Sequence, residues 1–440
     1  MKQAERFAER SSRWAYAALL SLLAPAYLLR LWRRGKAEPL YRQHIAERFG
    51  AYRGSAAEQG WVWVHAVSLG ETRAAAALVT AMRAQQPDMR LLLTHSTATG
   101  REAGAALLQP GDAQAWLPYD TPDAVRRFLR HWQPRLGVLM ETEVWPTLQF
   151  ECAKAGLPLF LANARLSERS LRRGQRFAAL LRPAAQRLRA ALAQTEADAT
   201  RLRAAGVSDV QVMGNLKFDM AVDEALLARG RAWRAQLGRP VLMLAVSREG
   251  EEAQLLQAWQ DLALGKQAGE APLLLIVPRH PQRFDEIAAL VTATGLRLAR
   301  RSSWQGAADS PDSPDEAALQ AQVWLGDSMR EMALYYGLAD VALLGGSFAP
   351  LGGQNLIEAA ACACPVLMGP HTFNFAEASS LAEQAGAAQR VSDIAGALAQ
   401  GLSLCADMPR RQAMSTQALR FANQHRGAAA RMAEFILQKG

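Results

Sequence analysis

Short apolar runs alternate with amphipathic stretches from about residue 61 onward. Each run ends in or near Gly, Ser or Asn, and the following stretch spaces its apolar positions as a helix does, as in Thr72–Arg83 and Thr121–Trp132. Continuous apolar runs predict strands buried on both faces of a parallel sheet. The predicted strands are Trp61–His65, Leu91–Thr94, Leu136–Met140, Leu157–Ala162, Leu192–Gln194, Val210–Met213, Val241–Ala245, Leu273–Val277, Val323–Leu325, Val341–Leu344 and Pro365–Met368.

The strand pattern breaks once and then restarts. A helical stretch near residues 221–237 separates two sets of alternating strands and helices, which predict an α/β protein with two Rossmann-like domains. The predicted domains are 37–225 and 226–420, followed by a closing C-terminal helix at 421–440. Because ligands of such sheets bind at the carboxyl ends of the strands, residues that follow strands are the candidates for function.

The segment before the first strand has a different pattern. Trp14–Leu29 is almost wholly apolar, and four basic residues follow between positions 30 and 36. As a helix it would reach about 24 Å, less than the roughly 30 Å hydrocarbon core of a bilayer, and Pro25 predicts a kink. The interpretations are a short uncleaved anchor within residues 1–36, a helix lying in the membrane interface, or a buried core helix. The basic flank predicts a protein body on the cytoplasmic side.

Composition and charge narrow the class of partner. The 440 residues are 50% hydrophobic and 21% charged, which suits a globular protein of two domains. The net charge of +9 is concentrated in residues 1–53 and 163–189, and such local patches favour a lipid surface or a phosphorylated acceptor over nucleic acid. Cysteine spacing predicts buried thiols in a reducing compartment, with no disulfide framework or zinc site.

Ser68 and Glu71 follow the first predicted strand in the sequence AVSLGE at 66–71. This sequence is similar to a nucleophile elbow around Ser68, although no histidine has a distinctive context for the partner's role. Glu71 is a candidate general base if burial or a neighbouring acid offsets the effect of the helix N-terminus on its pKa. A Glu that only stabilises the helix is the structural alternative.

Two acids and a row of arginines follow later strands of the first domain. Glu141 and Glu143 end one strand. Their negative charges could raise the pKa of a neighbouring carboxyl group by like-charge repulsion, or their oxygens could accept hydrogen bonds from sugar hydroxyls. The structural alternative is that they cap the next helix. The arginines have the spacing of one helix face and favour a phosphate ligand, with a solvated face as the alternative. They are Arg165, Arg169, Arg172, Arg173 and Arg176.

The strongest nucleotide-binding pattern is GGSFAPLGGQNLIE at 345–358. Glycine turns let backbone N–H groups approach a phosphate, and the helix that follows adds positive potential. Asn355 and Glu358 have capping-box spacing, while Glu358 also suits ribose hydroxyls. Arg279 and His280 close another strand and suit an anionic donor, with a surface turn as the alternative. No GxxxxGK[ST] sequence occurs, so nucleoside triphosphate hydrolysis is not predicted.

These motifs, in their order, resemble the 3-deoxy-D-manno-octulosonic acid (Kdo) transferases of lipopolysaccharide biosynthesis. The likeness extends over nearly the whole chain, and the ordered set is more specific than any one block. The blocks are HAVSLGE at 65–71, HSTATG at 95–100, METEVWP at 140–146, ANARLS at 162–167, GNLKFD at 214–219, VPRHPQRF at 277–284, GDSMREM at 326–332, GGSFAPLGGQNLIEAA at 345–360 and GPHTFNF at 369–375.

The resemblance implies a GT-B glycosyltransferase with two Rossmann-like domains facing a cleft. Its donor would be CMP-Kdo, its acceptor a phosphorylated lipid A precursor such as lipid IVA, and its reaction inverting, independent of metal and without a cofactor. The protein would act at the cytoplasmic face of the inner membrane. The first domain would bind the acceptor and the second the donor.

The resemblance also assigns residues. Glu71 would be the base, with Glu141 and Glu143 beside it, and acceptor contacts would come from Ser68, Gly70, Arg165, Arg169 and Arg172. The implied donor contacts are Arg279, His280, Gly326, Ser328, Met329, Gly346, Ser347, Gly352, Gly353, Asn355, Glu358 and Asn374.

Two positions depart from the family pattern. Arg248 stands where a His is usual, and Arg330 stands where a Gly is usual. The residues alone leave three other functions open: a nucleotide-sugar epimerase of the same double-Rossmann plan, a serine hydrolase using Ser68, and a basic membrane- or nucleic-acid-binding protein.

Overall fold

The protein, as a computed structural model, is described over residues 2–52, 60–219, 221–262, 271–304 and 313–440, with side chains from Phe7 onward. The chain separates into two compact units. The first comprises Met1–Met220 and His425–Gly440, and the second comprises Ala221–Gln424. The chain therefore returns to the first unit for its last helix.

The first unit contains a parallel seven-stranded sheet covered by helices. Its strand order is β3-β2-β1-β4-β5-β6-β7. The strands are β1 (Trp61–His65), β2 (Leu91–His95), β3 (Ala113–Trp116), β4 (Pro134–Met140), β5 (Leu159–Ala164), β6 (Ala190–Ala193) and β7 (Val210–Val212). The helices are α1 (Lys2–Arg34), α2 (Leu69–Gln85), α3 (Ala98–Ala105), α4 (Pro122–Trp132), α5 (Pro146–Lys154), α6 (Glu168–Gln175), α7 (Ala178–Ala185) and α8 (Glu196–Ala205).

The second unit contains a second parallel seven-stranded sheet, with the order β10-β11-β9-β8-β12-β13-β14. Its strands are β8 (Val241–Ser247), β9 (Leu273–Pro278), β10 (Leu298–Arg300), β11 (Val323–Leu325), β12 (Val341–Leu344), β13 (Val366–Met368) and β14 (Ala388–Arg390). Its helices are α9 (Glu224–Leu237), α10 (Glu251–Asp261), α11 (Phe284–Ala293), α12 (Glu316–Gln320), α13 (Met332–Leu338), α14 (Leu356–Ala361), α15 (Ala376–Gln384), α16 (Ile394–Ala406) and α17 (Met408–Gln424). The prediction of two Rossmann-like α/β units is confirmed.

In each sheet the strand order reverses beside the first strand of the unit. In the first sheet the chain moves from β1 outward to β2 and β3, then returns to place β4 on the other side of β1. In the second sheet β8 has the same position between β9 and β12. A crevice forms at the carboxyl ends of the two strands where the order reverses, and ligands of such folds bind there. The loops after β1 and β4, and after β8 and β12, are thus the places for function.

The last helix, α18 (Ala428–Lys439), completes the core of the first unit. Met432 and Ile436 are fully buried in the same apolar cluster as Leu78 of α2. The carboxylate of Asp219 accepts hydrogen bonds from the N–H groups of Gly427, at 2.5 Å, and Ala429, at 2.6 Å. These two bonds join the end of the N-terminal part of the unit to the start of α18.

The N-terminal helix is longer than the apolar run Trp14–Leu29. Helix α1 continues through Pro25 and spans Lys2–Arg34, within the segment 1–36 that was predicted as an anchor. Among the described helices, one segment, Phe7–Arg34, has the length and apolar composition of a membrane-crossing helix. Tyr16 donates a hydrogen bond to Asp120 at 3.0 Å, and the Tyr27 ring stacks on Tyr119 at 4.7 Å.

The opposite side of α1 is apolar and exposed. Its large side chains that face solvent are Phe7, Trp14, Leu19, Leu22, Leu23, Leu28, Leu29 and Trp32. A row of this size on a soluble surface is typical of membrane or protein contact.

Candidate active site

Glu71 occupies the first turn of α2, at the carboxyl end of β1. Ser68 is the N-cap of this helix, and its hydroxyl donates to Glu71 Oε1 at 3.1 Å. The Val67 N–H donates to Glu71 Oε2 at 2.8 Å. Glu71 therefore accepts hydrogen bonds at the start of the helix, as expected of a Glu that stabilises it. These bonds also hold its carboxylate at the crevice. The Ser68 hydroxyl is engaged with this carboxylate rather than with an imidazole.

The block HSTATG supports the loop that carries Glu71. The Thr97 hydroxyl donates to the Val67 carbonyl at 2.8 Å, and His95 Nδ1 lies 2.9 Å from the Ala66 carbonyl. A Cβ atom at Gly100 would lie 2.9 Å from the Val67 carbonyl oxygen, so only glycine allows this approach. Burial lowers the pKa of His95 to about 4, so the imidazole is neutral and acts as a structural group near pH 7.

The environment of Glu71 suits a base that works near neutral pH. Burial raises the pKa of Glu71 to about 7, the Val67 N–H opposes this shift, and the negative charges of Glu143 and Glu141 add to it. A base with a pKa near the working pH combines a large unprotonated fraction with effective proton transfer. The sequence required burial or a neighbouring acid to offset the lowering of the Glu71 pKa by the helix N-terminus. Both are present.

Glu141 and Glu143 follow β4 and do not cap the next helix. The first N–H groups of α5, from Thr147 and Leu148, donate instead to the buried carboxylate of Asp120, at 3.2 and 2.8 Å. The capping alternative for the two acids is therefore wrong. Glu143 accepts a hydrogen bond from the Trp145 indole N–H at 2.5 Å, and burial raises the pKa of Glu143.

Glu141 forms the ionic centre of this crevice. It is buried, adopts a left-handed backbone with φ of 58°, and pairs with Arg165 through Nε at 2.9 Å and Nη2 at 2.8 Å. Burial lowers the pKa of Lys217, and the negative charge of Glu141 opposes that effect. Lys217 was not among the predicted site residues, although the block GNLKFD at 214–219 was the signal that contained it.

The five arginines do not share one helix face. Arg165 precedes α6 and is tied to Glu141, Arg169, Arg172 and Arg173 lie on α6, and Arg176 is the residue at which α6 ends. The prediction of a single continuous stripe was wrong because α6 begins only after its N-cap Ser167, so Arg165 lies outside the helix. The chain then turns at Phe177, with φ of −116° and ψ of 29°, before α7 begins. All five arginines are nevertheless exposed on this segment.

In the second unit, Glu251 organises the crevice between β8 and β12. Its buried carboxylate accepts hydrogen bonds from the N–H groups of Gly346 at 2.8 Å, Arg248 at 2.9 Å and Phe348 at 3.2 Å. Burial raises the pKa of Glu251, and these N–H groups oppose the shift. Sequence analysis missed this residue, and the signal for it was an acid in the first turn after a strand, the same position that identified Glu71.

The glycine turn therefore does not present its amides as predicted. The N–H groups of Gly346 and Phe348 point to Glu251, that of Gly345 to the Ala245 carbonyl at 2.8 Å, and that of Gly353 to the Gly346 carbonyl at 2.8 Å. For these four amides the prediction of a phosphate cradle was wrong, because the protein uses them to hold the turn.

Ser347 and the second glycine pair also shape the loop from within. Ser347 is fully buried, and its hydroxyl accepts the Gly369 N–H at 2.8 Å. Gly352 and Gly353 have φ of 90° and 73°. Asn374 is exposed and donates its side-chain amide to the Leu351 carbonyl at 3.0 Å.

The remaining predicted donor residues follow neighbouring strands of this sheet. Arg279 is exposed after β9, and burial together with the charges of Arg248 and Arg279 lowers the pKa of His280. Ser328 donates to Glu331 at 2.5 Å after β11, following Gly326, while Met329 is exposed. Asn355 caps α14 by accepting the Ile357 N–H at 3.2 Å, which confirms its capping role, and Glu358 lies in the first turn.

Arg330, one of the two departures, has a left-handed backbone with φ of 68°. This conformation explains why glycine suits the position, since a Cβ atom is strained there. Arg330→Gly is expected to stabilise the second unit by about 0.5–1 kcal/mol, as measured from the midpoint of urea unfolding. Met329→Gly removes an exposed side chain outside the left-handed region and is expected to destabilise the unit, so equal effects of both variants would contradict the role of strain.

Two Rossmann-like units, each with acids at the point where its strand order reverses, give this protein the GT-B type of fold. A crystal structure of a glycosyltransferase from Rickettsia africae ESF-5 shares the fold, with a TM-score of 0.56 at 11% identity, covering 87% of this chain and 100% of that one.

Similarity to known sequences identifies the family. The family model for 3-deoxy-D-manno-octulosonic-acid transferase (kdotransferase) matches residues 43–220. The 3-deoxy-D-manno-octulosonic acid transferase of Bordetella pertussis is 47% identical over 427 residues, which cover 95% of this chain and 97% of that protein. Its counterpart from Haemophilus influenzae is 32% identical over 431 residues, covering 96% and 98%. The chain belongs to the Kdo transferase family, and the resemblance predicted from its motifs is confirmed.

Proposed function

We propose that the protein transfers Kdo from CMP-Kdo to a phosphorylated lipid A precursor, with inversion at C2 of Kdo and without a metal ion. Glu71 removes the proton from the acceptor hydroxyl as the oxygen attacks C2, and CMP leaves. The observation that carries this proposal is the Glu71 carboxylate, fixed at a strand-order reversal with a pKa of about 7.

The first unit suits the acceptor. Burial, with the charges of Glu143 and Glu141, keeps the pKa of Glu71 high, while Ser68 and Gly70 form the start of the helix from which it projects. The exposed arginines of α6, including Arg169 and Arg172, supply guanidinium groups for phosphates on the acceptor. The guanidinium groups of neighbouring arginines repel one another unless an anion lies among them.

The second unit suits the donor. Arg248 and Arg279 bring positive charge to His280 at the carboxyl ends of β8 and β9, and a single phosphate is the anion that such side chains bind well. Arg248 thus supplies a charge where the family usually has a His. The turn from Gly345 to Gly353 gives this surface its shape, with Asn355, Glu358 and Asn374 beside it as proposed sugar or nucleoside contacts.

Helix α1 is the proposed attachment to the cytoplasmic face of the inner membrane. Its exposed apolar residues, from Phe7 to Trp32, would contact lipid, and the basic residues at its end would lie among anionic headgroups. This placement brings an enzyme of this class to an acceptor that stays in the bilayer.

The test is a transfer assay. Purified full-length protein is incubated with CMP-Kdo and a tetraacyl, bisphosphorylated glucosamine disaccharide, with a chelator present, and the products are weighed by mass spectrometry. Addition of one or more Kdo units is expected. Absence of transfer, or conversion of a nucleotide sugar to its epimer without an acceptor, would contradict the proposal. A fluorophosphonate is expected to leave Ser68 unlabelled.

A further inference from the structure

A cavity lies beside the acceptor-side crevice, wholly within the first unit. Helices α6, α7 and α8 and strand β5 enclose a volume of about 390 Å³. That volume falls in the range of roughly 300–1,000 Å³ of small-molecule pockets. We call it the α6–α8 cavity.

The wall of the α6–α8 cavity is aliphatic. It is formed mainly by Leu161, Leu171, Leu181, Leu188, Leu202 and Val207, with several alanines between them. Protein interiors pack closely, and an opening of this size lined by apolar groups gives water few hydrogen-bonding partners. An aliphatic ligand fits this lining.

Part of the cavity lining is exposed, polar and cationic, and we call this part the mouth. Thr142, Arg165 and Arg182 belong to it, and Val144, 38% exposed, adds an apolar edge. Arg165 is the residue that pairs with Glu141, and Thr142 lies between Glu141 and Glu143. The lining of the cavity therefore includes part of the loop whose acids raise the pKa of Glu71.

The charges near the mouth define the rest of the ligand. Arg169, Arg172 and Arg173 lie on α6, the helix that also contributes Leu171 and Gly174 to the cavity wall. The aliphatic cavity suits a hydrocarbon chain, and the guanidinium groups suit a phosphate. A phosphorylated amphiphile has both parts.

We propose that the α6–α8 cavity binds one acyl chain of the acceptor and thereby sets the position of the acceptor sugar relative to Glu71. The inference rests on the proposed function, because it assigns the chain to the acceptor of that reaction. A phospholipid of the bilayer and an apolar side chain of another protein are the other occupants that the experiment distinguishes.

The first experiment narrows the cavity. Ala178 and its neighbour Ala179 are both exposed at the start of α7, and of the two only Ala178 lines the cavity. Ala178→Trp is expected to lower kcat/KM for the tetraacyl acceptor by about tenfold, since each excluded methylene changes affinity by about fourfold. The same variant should leave kcat/KM unchanged for the corresponding acceptor without acyl chains, and Ala179→Trp should leave both unchanged.

The outcomes separate the inference from the proposed function. A wild-type protein that transfers Kdo to neither acceptor contradicts the proposed function. A wild-type protein that is active, together with an Ala178→Trp variant that retains normal kcat/KM for the tetraacyl acceptor, contradicts the acyl site alone. An equal loss of activity with both acceptors also contradicts it, because a distorted crevice would then be the cause.

A second experiment uses the unaltered protein, so it does not depend on the folding of a variant. The tetraacyl acceptor carries a photoreactive diazirine at the end of one acyl chain, and a phosphatidylethanolamine with the same group is the comparison. Crosslinks from the acceptor to peptides containing Leu171, Leu181 or Leu202 are expected. Labelling confined to α1, or labelling of the cavity by the phospholipid and not by the acceptor, would overturn the proposal.

Discussion

Glu71→Gln is expected to lower the rate of Kdo transfer by about 100- to 10,000-fold, because the amide cannot accept the proton of the attacking hydroxyl. The substitution is nearly isosteric, and the amide oxygen still accepts the Val67 N–H or the Ser68 hydroxyl, so the loop is expected to persist. Initial rates with saturating CMP-Kdo measure the effect. Glu102→Gln, on the exposed side of α3, is the matched control and should retain normal activity.

The pH profile gives a second readout of the same group. With a pKa of about 7 for Glu71, kcat/KM should be level at higher pH and fall by about tenfold per pH unit below 7, because the base acts in its unprotonated form. Glu143→Gln removes a negative charge near Glu71 and should move this limb to lower pH. Near-normal transfer by Glu71→Gln would show that another group takes the proton. The same conclusion would follow if the fall in kcat/KM below pH 7 were unchanged in Glu71→Gln.

Glu251→Gln is expected to destabilise the second unit by about 2–4 kcal/mol, because a buried carboxylate that accepts several N–H groups is replaced by a neutral amide with donors of its own. The N–H groups of Gly346, Arg248 and Phe348 would lose part of their bonding. Since these residues define the turn beside the proposed donor site, the affinity for CMP should also fall by at least about tenfold. Urea unfolding followed by tryptophan fluorescence, and calorimetric titration with CMP, measure the two effects.

The control for Glu251 is an acid in a similar local position. Glu316 lies in the first turn of α12, is exposed, and should tolerate the change to Gln with little effect on stability or CMP affinity. If Glu251→Gln matched Glu316→Gln in both measurements, the turn would be held by its remaining bonds, such as the one from Gly353 to the Gly346 carbonyl, and Glu251 would not organise it.

The hydrophobic pattern predicted the central strands of both sheets and missed three strands at their edges. β3, β10 and β14 lie at the outer ends of the strand order and contain polar or charged residues, as in Ala113–Trp116 and Leu298–Arg300. A central parallel strand is covered on both faces and must be apolar throughout, whereas an edge strand is partly solvated and its sequence is less constrained.

The geometry of the candidate site was predictable where it depends on local spacing and not where it depends on contacts across the fold. The sequence placed Glu71 at the start of a helix because a strand, a turn and a helix start are adjacent in the chain. It could not show that Asp120 caps α5, or that Glu251 takes the amides of the glycine turn, because those contacts join distant segments. The helical spacing of the arginines likewise did not show that α6 begins after Arg165, or that α6 and α7 are separate helices that both line the cavity.

The return of the chain to its first unit has a consequence for biosynthesis. Asp219 and Gly427, which join across 208 positions of sequence, leave the ribosome at different times. At roughly 5–20 residues per second, about 10–40 s pass between them. Throughout that interval α2 lacks the apolar cover of Met432 and Ile436, while the exposed apolar side of α1 has already emerged. The proposed attachment of α1 to the membrane would thus form before the unit that carries Glu71 can close.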